Sequence, residues 1–362
     1  MRAALLSADR VGLASAIRRF SEQGVWETDG PVEDFCHLRI TAGAFPKETQ
    51  RLLGRYLFEI SRLRPPLLSR VLRFAAMCVL EQISFTRKDG QYLRWDYRSG
   101  RCLGKKRFDK GRILSFSEAI RLKLAEIVND LTPEGRMLFD PIPEAIPRGS
   151  ITLHRGSCLD VLPKMPPCAF DAIVTSPPYC NRYDYTRTYA LELAMLGVNE
   201  KEMRLLRQAM LSCTVENREK TDLDRRFSKE CYDRATAAFE SQDLLTRILG
   251  YLESCRASGT INNPGIPRMV KNYFWESALL IMESARVLKA HGVFVMVNDN
   301  VRYQGVHIPV DLILSDFAEK AGYEVEAIWV LPKGKGNSSQ QMGLHGREEI
   351  RKCVYVWRLQ RD

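Results

Sequence analysis

Four consecutive residues, Ser176, Pro177, Pro178 and Tyr179, follow directly on the apolar run "FDAIVT". A proline has no backbone N–H and a fixed φ, so a strand ending here must leave its sheet at Pro177 as a stiff, extended turn. Such a turn offers two acceptors, the Ser176 hydroxyl and the Pro177 carbonyl, to the two hydrogens of one NH₂ group. Tyr179 adds a ring on which a flat heterocycle can stack. The pattern suits the exocyclic amine of a nucleobase. That amine is a weak nucleophile because its lone pair is delocalised into the ring, and acceptors that draw its hydrogens out of plane favour attack on an electrophilic methyl. A base taken from a duplex loses a few kcal/mol of stacking, roughly, part of which an aromatic side chain restores. The other reading of the same residues is a proline turn followed by a core tyrosine.

With "FDAIV" before it and "CNRYDYTRTYALELAML" after it, the "TSPPY" segment resembles the amino-group DNA methyltransferases that use S-adenosylmethionine. In that family a [D/N/S]-P-P-[Y/F] tetrapeptide follows the fourth sheet strand, the Ser form being typical of cytosine-N4 enzymes and the Asp form of adenine-N6 enzymes. The resemblance implies a catalytic role for Ser176, Pro177, Pro178 and Tyr179, and S-adenosyl-L-methionine as cofactor. It runs from Ile151 to Arg358. In "ITLHRGSCLDVLPKM" the family often carries Gly-Asp near the adenosyl group, whereas this chain has Gly156 and Ser157, with Asp160 further on. These three and Thr175 are the cofactor-binding candidates. "VNDNVRY" puts Asn298 and Asp299 at a strand end, where they contact substrate or cap the turn. The polar stretch "KGKGNSSQQMGLHGREE" corresponds to a family loop that faces the target base, which makes Asn337, Ser338, Ser339 and Gln340 candidates for holding it. A solvated hairpin loop is the alternative.

These residues need a sheet to hold them. From Ile151 the rhythm is strand, turn, helix, with "ITLHRG", "DAIVTS", "GVFVMVN", "EVEAIWVLP" and "KCVYVWRL" as strands. That alternation favours an α/β fold, and the resemblance implies a Rossmann-like methyltransferase sheet whose last strand is antiparallel. Helical patterns at 186–211, 222–257 and 272–289 separate the strands. From about residue 12 to residue 131 the apolar residues recur at three and four, with Ser115 and Glu118 at capping-box spacing. Prolines at 133, 141, 143 and 147 punctuate the transition. The expected organisation is therefore a helical region over 1–147, read as a DNA-recognition insertion, and a catalytic half over 148–362.

The family's cofactor loop, a D-P-F-x-G-x-G-T-like segment after the first strand, occurs nowhere in the chain. The expectation is an incomplete sheet, lacking its first strands, in a split enzyme that takes its glycine loop from a second polypeptide. A truncated gene product is the competing account. Function then reads as site-specific DNA methylation at cytosine N4. The alternatives are an adenine-N6 DNA or RNA methyltransferase, or an inactive nucleic-acid-binding subunit.

A formal charge of +10 on 362 residues points to a polyanionic partner, here double-stranded DNA. Residues Ser84 to Arg112 carry ten basic side chains against three acidic ones, interleaved with Phe85, Tyr92, Trp95, Tyr97 and Phe108. Arg87, Lys105, Lys106 and Arg107 are candidate phosphate contacts, the aromatics candidate stacking partners. A solvated loop anchored by its aromatics is the other possibility. "INNPGIPRMVKNYFWE" is a second candidate contact. The ten cysteines show no metal-site spacing and read as reduced, mostly buried thiols. No metal and no membrane span is expected, and the location reads as cytoplasmic.

Overall fold

Ser115 accepts the Glu118 backbone N–H at 3.2 Å in the computed structural model, starting a helix where the capping-box spacing predicts one. The structure describes residues 9–64, 66–89, 92–101, 107–132, 149–332 and 350–360. It divides into two compact units, one of Met1–Leu153 with Tyr185–Met203, the other of His154–Asp184 with Arg204–Asp362.

The first unit is built on α1 (Arg10–Gln23), α2 (Lys47–Ser61), α3 (Pro66–Val79), the hairpin β1 (Thr86–Asp89) and β2 (Tyr92–Trp95), and α4 (Phe116–Leu131). Its core centres on Trp26, Tyr56 and Phe116, packed edge to face with centroids 5.3 to 6.5 Å apart. The polar ends of these rings find partners. Trp26 Nε1 donates to Ser117 Oγ at 3.1 Å and the Tyr56 hydroxyl to the Leu72 carbonyl at 2.9 Å.

The chain then runs through α5 (Cys158–Val161) and β3 (Phe170–Thr175) in the second unit. It returns to the first for α6 (Tyr185–Thr188) and α7 (Ala190–Met195), and re-enters the second along α8 (Glu200–Ala209). Ala190, Leu191, Ala194 and Met195 bury their side chains in the helical core of the first unit, so the segment after the proline turn belongs there.

The second unit continues with α9 (Leu223–Arg226), α10 (Lys229–Glu240), α11 (Asp243–Ala257), α12 (Ile266–Val287), β4 (Leu288–Asp299), β5 (Val301–Tyr303), β6 (Val306–Ile308), α13 (Val310–Lys320), β7 (Tyr323–Val330) and β8 (Lys352–Leu359). Four strands form one sheet in the order β3-β4-β8-β7, with β3 and β4 parallel and β8 antiparallel to both its neighbours. From Gly292 onward strand β4 alternates, so Phe294 and Met296 turn inward into the core that Tyr273 and Phe274 of α12 and Phe317 of α13 also share. The architecture is mixed α/β.

The strand expected at Ile151–Gly156 does not form. Those residues are exposed and unladdered, Ile151 at 44% and Leu153 at 74%, because a strand exists only by pairing and no described strand takes them as a neighbour. The nine described cysteines are free thiols, and only Cys180, Cys213, Cys231 and Cys353 are buried, fewer than their composition suggested.

Candidate active site

Strands β3 and β4 lie parallel with Thr175 opposite Met296, which puts the end of β3 and its proline turn beside the end of β4. Open α/β sheets bind ligands at such carboxyl ends. Ser176 is exposed, and its Oγ lies 3.1 Å from the Tyr179 hydroxyl across the two prolines. The backbone past the turn is clamped. Asn181 N–H donates to the Tyr179 carbonyl at 2.7 Å, and the buried Tyr303 hydroxyl of β5 donates to the Cys180 carbonyl at 2.7 Å. The exposed hydroxyl thus stands on a rigid base.

The neighbouring strand end divides its two candidates. Asn298 is fully buried, its amide donating to the Tyr273 hydroxyl at 2.7 Å and its carbonyl accepting the Asp299 N–H at 2.9 Å, so both ends are used inside the fold. Asp299 is half-buried and faces Lys352, whose Nζ lies 3.7 Å from Asp299 Oδ1 and 5.3 Å from the Tyr179 ring centroid. Burial pushes the Asp299 carboxyl above the usual carboxylate range, while the Lys352 charge opposes it. No motif marks Lys352. Only the antiparallel register, which sets Lys352 opposite Asp299, carries it to the proline turn. One residue further on, Asn300 Oδ1 accepts the Asp311 N–H at 3.0 Å, and Arg351 pairs with the buried Asp311 at 2.6 Å.

Thr175, Ser176, Pro177 and Pro178 line one side of an apolar cleft of about 470 Å³ whose other walls include Ile173 and Ser277 and Ile281 of α12. Among the remaining cofactor candidates, Ser157 caps α5 by accepting the Leu159 N–H at 3.3 Å. Asp160 is paired with Arg226 at 2.9 Å, and Gly156 is exposed, a side chain there meeting Val161.

The basic segment of the first unit is partly spent on its own fold. Buried Asp96 accepts from Arg98 Nε at 2.7 Å, from Arg98 N–H at 2.9 Å and from Lys110 N–H at 2.7 Å, and these bonds hold its carboxyl well below the usual range. Burial lowers Lys110 to about 8, and its ammonium donates to the Ser84 carbonyl at 2.9 Å. Arg101 stacks on Trp95 at 4.0 Å and donates to the Ala42 carbonyl at 2.6 Å. Lys88 pairs with Glu192. Arg87 and Arg107 are exposed, Arg107 lying over the Tyr97 ring at 3.7 Å. Lys105, Lys106, Asn337, Ser338, Ser339 and Gln340 lie outside the described residues. In the second candidate contact, Arg268 donates to the Val215 carbonyl at 2.9 Å and Tyr273 is buried, so that stretch starts a core helix.

Comparison with known proteins decides the family. The chain is 51% identical over 342 residues to the type II methyltransferase M.AvaI of Nostoc sp. (strain PCC 7120), a match spanning 93% of this chain and 68% of that protein. M.AvaI of Anabaena variabilis matches with the same figures. The chain belongs to the type II DNA methyltransferases. The type II methyltransferase M.BsoBI of Geobacillus stearothermophilus is 41% identical over 347 residues, covering 90% of this methyltransferase and 66% of that one. No family model matches, and no solved structure does. Membership makes this methyltransferase a component of restriction-modification chemistry. Among its described residues no helix is long and apolar enough to cross a membrane.

Proposed function

We propose that this methyltransferase carries methyl groups from S-adenosylmethionine to the exocyclic N4 amine of a cytosine flipped out of double-stranded DNA. The observation that carries the reading is the turn itself. Ser176 precedes the two prolines at the carboxyl end of β3, its hydroxyl exposed, and the backbone past the turn is held at the Cys180 carbonyl by Tyr303. The M.AvaI and M.BsoBI relatives support the reaction class by their names.

In this account the bound cofactor supplies an electrophilic methyl. Ser176 Oγ and the Pro177 carbonyl accept the two amine hydrogens and bring the nitrogen lone pair out of conjugation. Tyr179, with Lys352 on its ring, receives the flipped base by stacking. Asp299 holds the Lys352 ammonium. Arg87, Lys105, Lys106 and Arg107 bind phosphates from the helical region over 1–147, and Asn337 to Gln340 face the base.

This chain carries only part of a cofactor site. Thr175 and the proline turn supply one wall, but Asp160 is engaged by Arg226 and the sequence has no glycine-rich loop to admit a methionine tail against the backbone. The sheet reads as a Rossmann-like methyltransferase sheet without its first strands, completed by a second polypeptide.

The test is transfer of labelled methyl to duplex DNA by the chain alone and with a polypeptide carrying a glycine loop, each with Ser176→Ala beside it. Transfer by the pair, and a loss on the order of a hundredfold in Ser176→Ala, is the expected result. Full activity without the hydroxyl overturns the role of Ser176. DNA binding without transfer in either setting makes the chain a binding subunit.

A further inference from the structure

The chain that leaves the proline turn is fastened residue by residue, with one exception. Tyr303 holds the Cys180 carbonyl, and Asn181 Oδ1 accepts the Tyr183 N–H at 3.1 Å. The Tyr183 carbonyl accepts the Cys213 thiol at 3.4 Å, and the buried Asp184 pairs with Arg207 of α8 at 3.0 Å. Arg182 stands between these anchors, and its side chain makes no hydrogen bond, ion pair or ring contact with any described residue. Its Nε is buried without a partner, and its terminal nitrogens, equally unpartnered, remain within reach of solvent. Its charge reaches the buried Tyr303 hydroxyl, where it opposes the rise in pKa that burial causes. Other cations of this unit are committed: Lys352 faces Asp299, Lys220 pairs with Glu276, and Arg207 takes the acid nearest to Arg182 in the chain. A half-buried arginine without a counter-charge is a cost that folded chains ordinarily avoid.

The backbone adds a second cost. Arg182 has φ +66°, in the left-handed region that a residue with a Cβ disfavours and a glycine enters freely. A strained backbone under an unpaired charge, three residues past Tyr179, points to a missing ligand. That ligand is an anion, and the planar guanidinium fits one that offers two oxygens. The cleft beside Thr175 does not count Arg182 among its walls, which separates this residue from the proposed cofactor wall. A base stacked on Tyr179, by contrast, brings its own phosphates with it, one on either side of its sugar.

We propose that Arg182 receives a phosphodiester of the flipped nucleotide, its terminal nitrogens donating to the two non-bridging oxygens, and so holds the target base extruded on Tyr179. The proposal rests on the reading that a base is flipped from duplex DNA onto this turn. The phosphate supplies the counter-charge that the fold withholds. Because the contact forms with the extruded nucleotide, it favours the flipped state over the stacked one. It differs in this from the basic segment of the first unit, whose proposed phosphate contacts need no flipping.

The probe is a duplex in which one cytosine faces an abasic site, so that extrusion costs little, made with ordinary phosphates or with neutral methylphosphonates on both sides of that cytosine. Fluorescence anisotropy reads its binding by the full chain and by Arg182→Met and Arg182→Gly. The unmodified chain should bind the methylphosphonate duplex at least tenfold more weakly than the ordinary one, as expected for a lost charge-assisted hydrogen bond. Each variant should bind the ordinary duplex at least tenfold more weakly and lose nothing further with methylphosphonates, because both changes remove one interaction. Arg182→Gly should do so with a thermal midpoint at or above that of the unmodified chain, which separates a ligand contact from a part of the fold. No binding of either duplex, variants that bind the ordinary duplex undiminished, or losses that simply add would each overturn the proposal. An arginine that reads the orphaned partner base gives the second of these results, since no base stands opposite here. Methyl transfer to duplex DNA, assayed as for Ser176→Ala, reports on the proposed function separately. The coupling in a chain that transfers no methyl contradicts that function and leaves the phosphate contact standing, and transfer without the coupling does the reverse.

Discussion

Lys352 sets its ammonium 5.3 Å from the centre of the Tyr179 ring and 3.7 Å from Asp299, joining the proline turn of β3 to the ends of β4 and β8. A cation on an aromatic face is worth about 0.5–1 kcal/mol at an exposed site. Lys352→Met should therefore raise KM for DNA roughly two- to fivefold while leaving the thermal midpoint nearly unchanged. The pH behaviour distinguishes this from a packing effect. Burial raises the Asp299 carboxyl and Lys352 opposes the rise, so removing Lys352 moves the acidic limb of the rate profile to higher pH. A folded-state pKa above the unfolded one means that the stability Asp299 contributes is full below about pH 4 and is lost as pH rises through the folded value. Asp299→Asn should then stabilise the protein at neutral pH and have no effect in acid. A melting temperature lowered at pH 7 would contradict this.

Tyr303 holds the Cys180 carbonyl from a fully buried position, one residue past Tyr179. Tyr303→Phe keeps the ring and leaves that carbonyl without its donor, which destabilises by about 1–3 kcal/mol. Chemical denaturation measures this. Because the turn loosens, kcat should fall along with stability, and a variant destabilised but equal in kcat would show that the clamp is structural only.

Asp96 gathers Arg98 and Lys110 around one buried carboxylate, and these bonds depress its pKa. A depressed carboxylate contributes stability that is present above its unfolded pKa, about 3.9, and is lost as pH falls through the folded value. Acid unfolding of the first unit should begin below about pH 4. Asp96→Asn should lose about 2 kcal/mol at neutral pH and show a flatter acid limb, measured by denaturation at a series of pH values.

Arg87 and Arg107 remain at the surface of the basic segment while Arg98, Arg101 and Lys110 are committed to the fold. Charge reversal at Arg87 and Arg107 should weaken duplex binding and reduce the slope of log K against log salt by about one for each phosphate no longer neutralised. Arg101→Glu should instead lower the melting temperature. Unchanged affinity in the Arg87 and Arg107 variants would take the segment out of the DNA footprint.

What the sequence made legible was local. The proline turn could be read because an apolar strand, two residues without N–H groups and an aromatic are adjacent in the chain, and the α4 cap because Ser115 and Glu118 are three apart. Strands β7 and β8 showed in their valine and aromatic content. The rest depended on partners distant in sequence. Lys352 reaches Tyr179 through strand register, and Asn298 is withdrawn from the site by Tyr273, which lies 25 residues earlier. Ile151–Gly156 has strand composition without a described strand to pair with, and residues 185–203 pack into a core built by helices from much earlier in the chain. Basic residues likewise look alike in sequence, whether they face solvent or, like Arg101, cap a carbonyl within the fold.

Nucleoside mass spectrometry of duplex DNA treated with S-adenosylmethionine, this chain and a polypeptide carrying a glycine loop tests the central claim most directly. The account predicts N4-methyldeoxycytidine, absent when Ser176 is replaced by alanine. N6-methyldeoxyadenosine, or any methylated nucleoside that persists in Ser176→Ala, would contradict it.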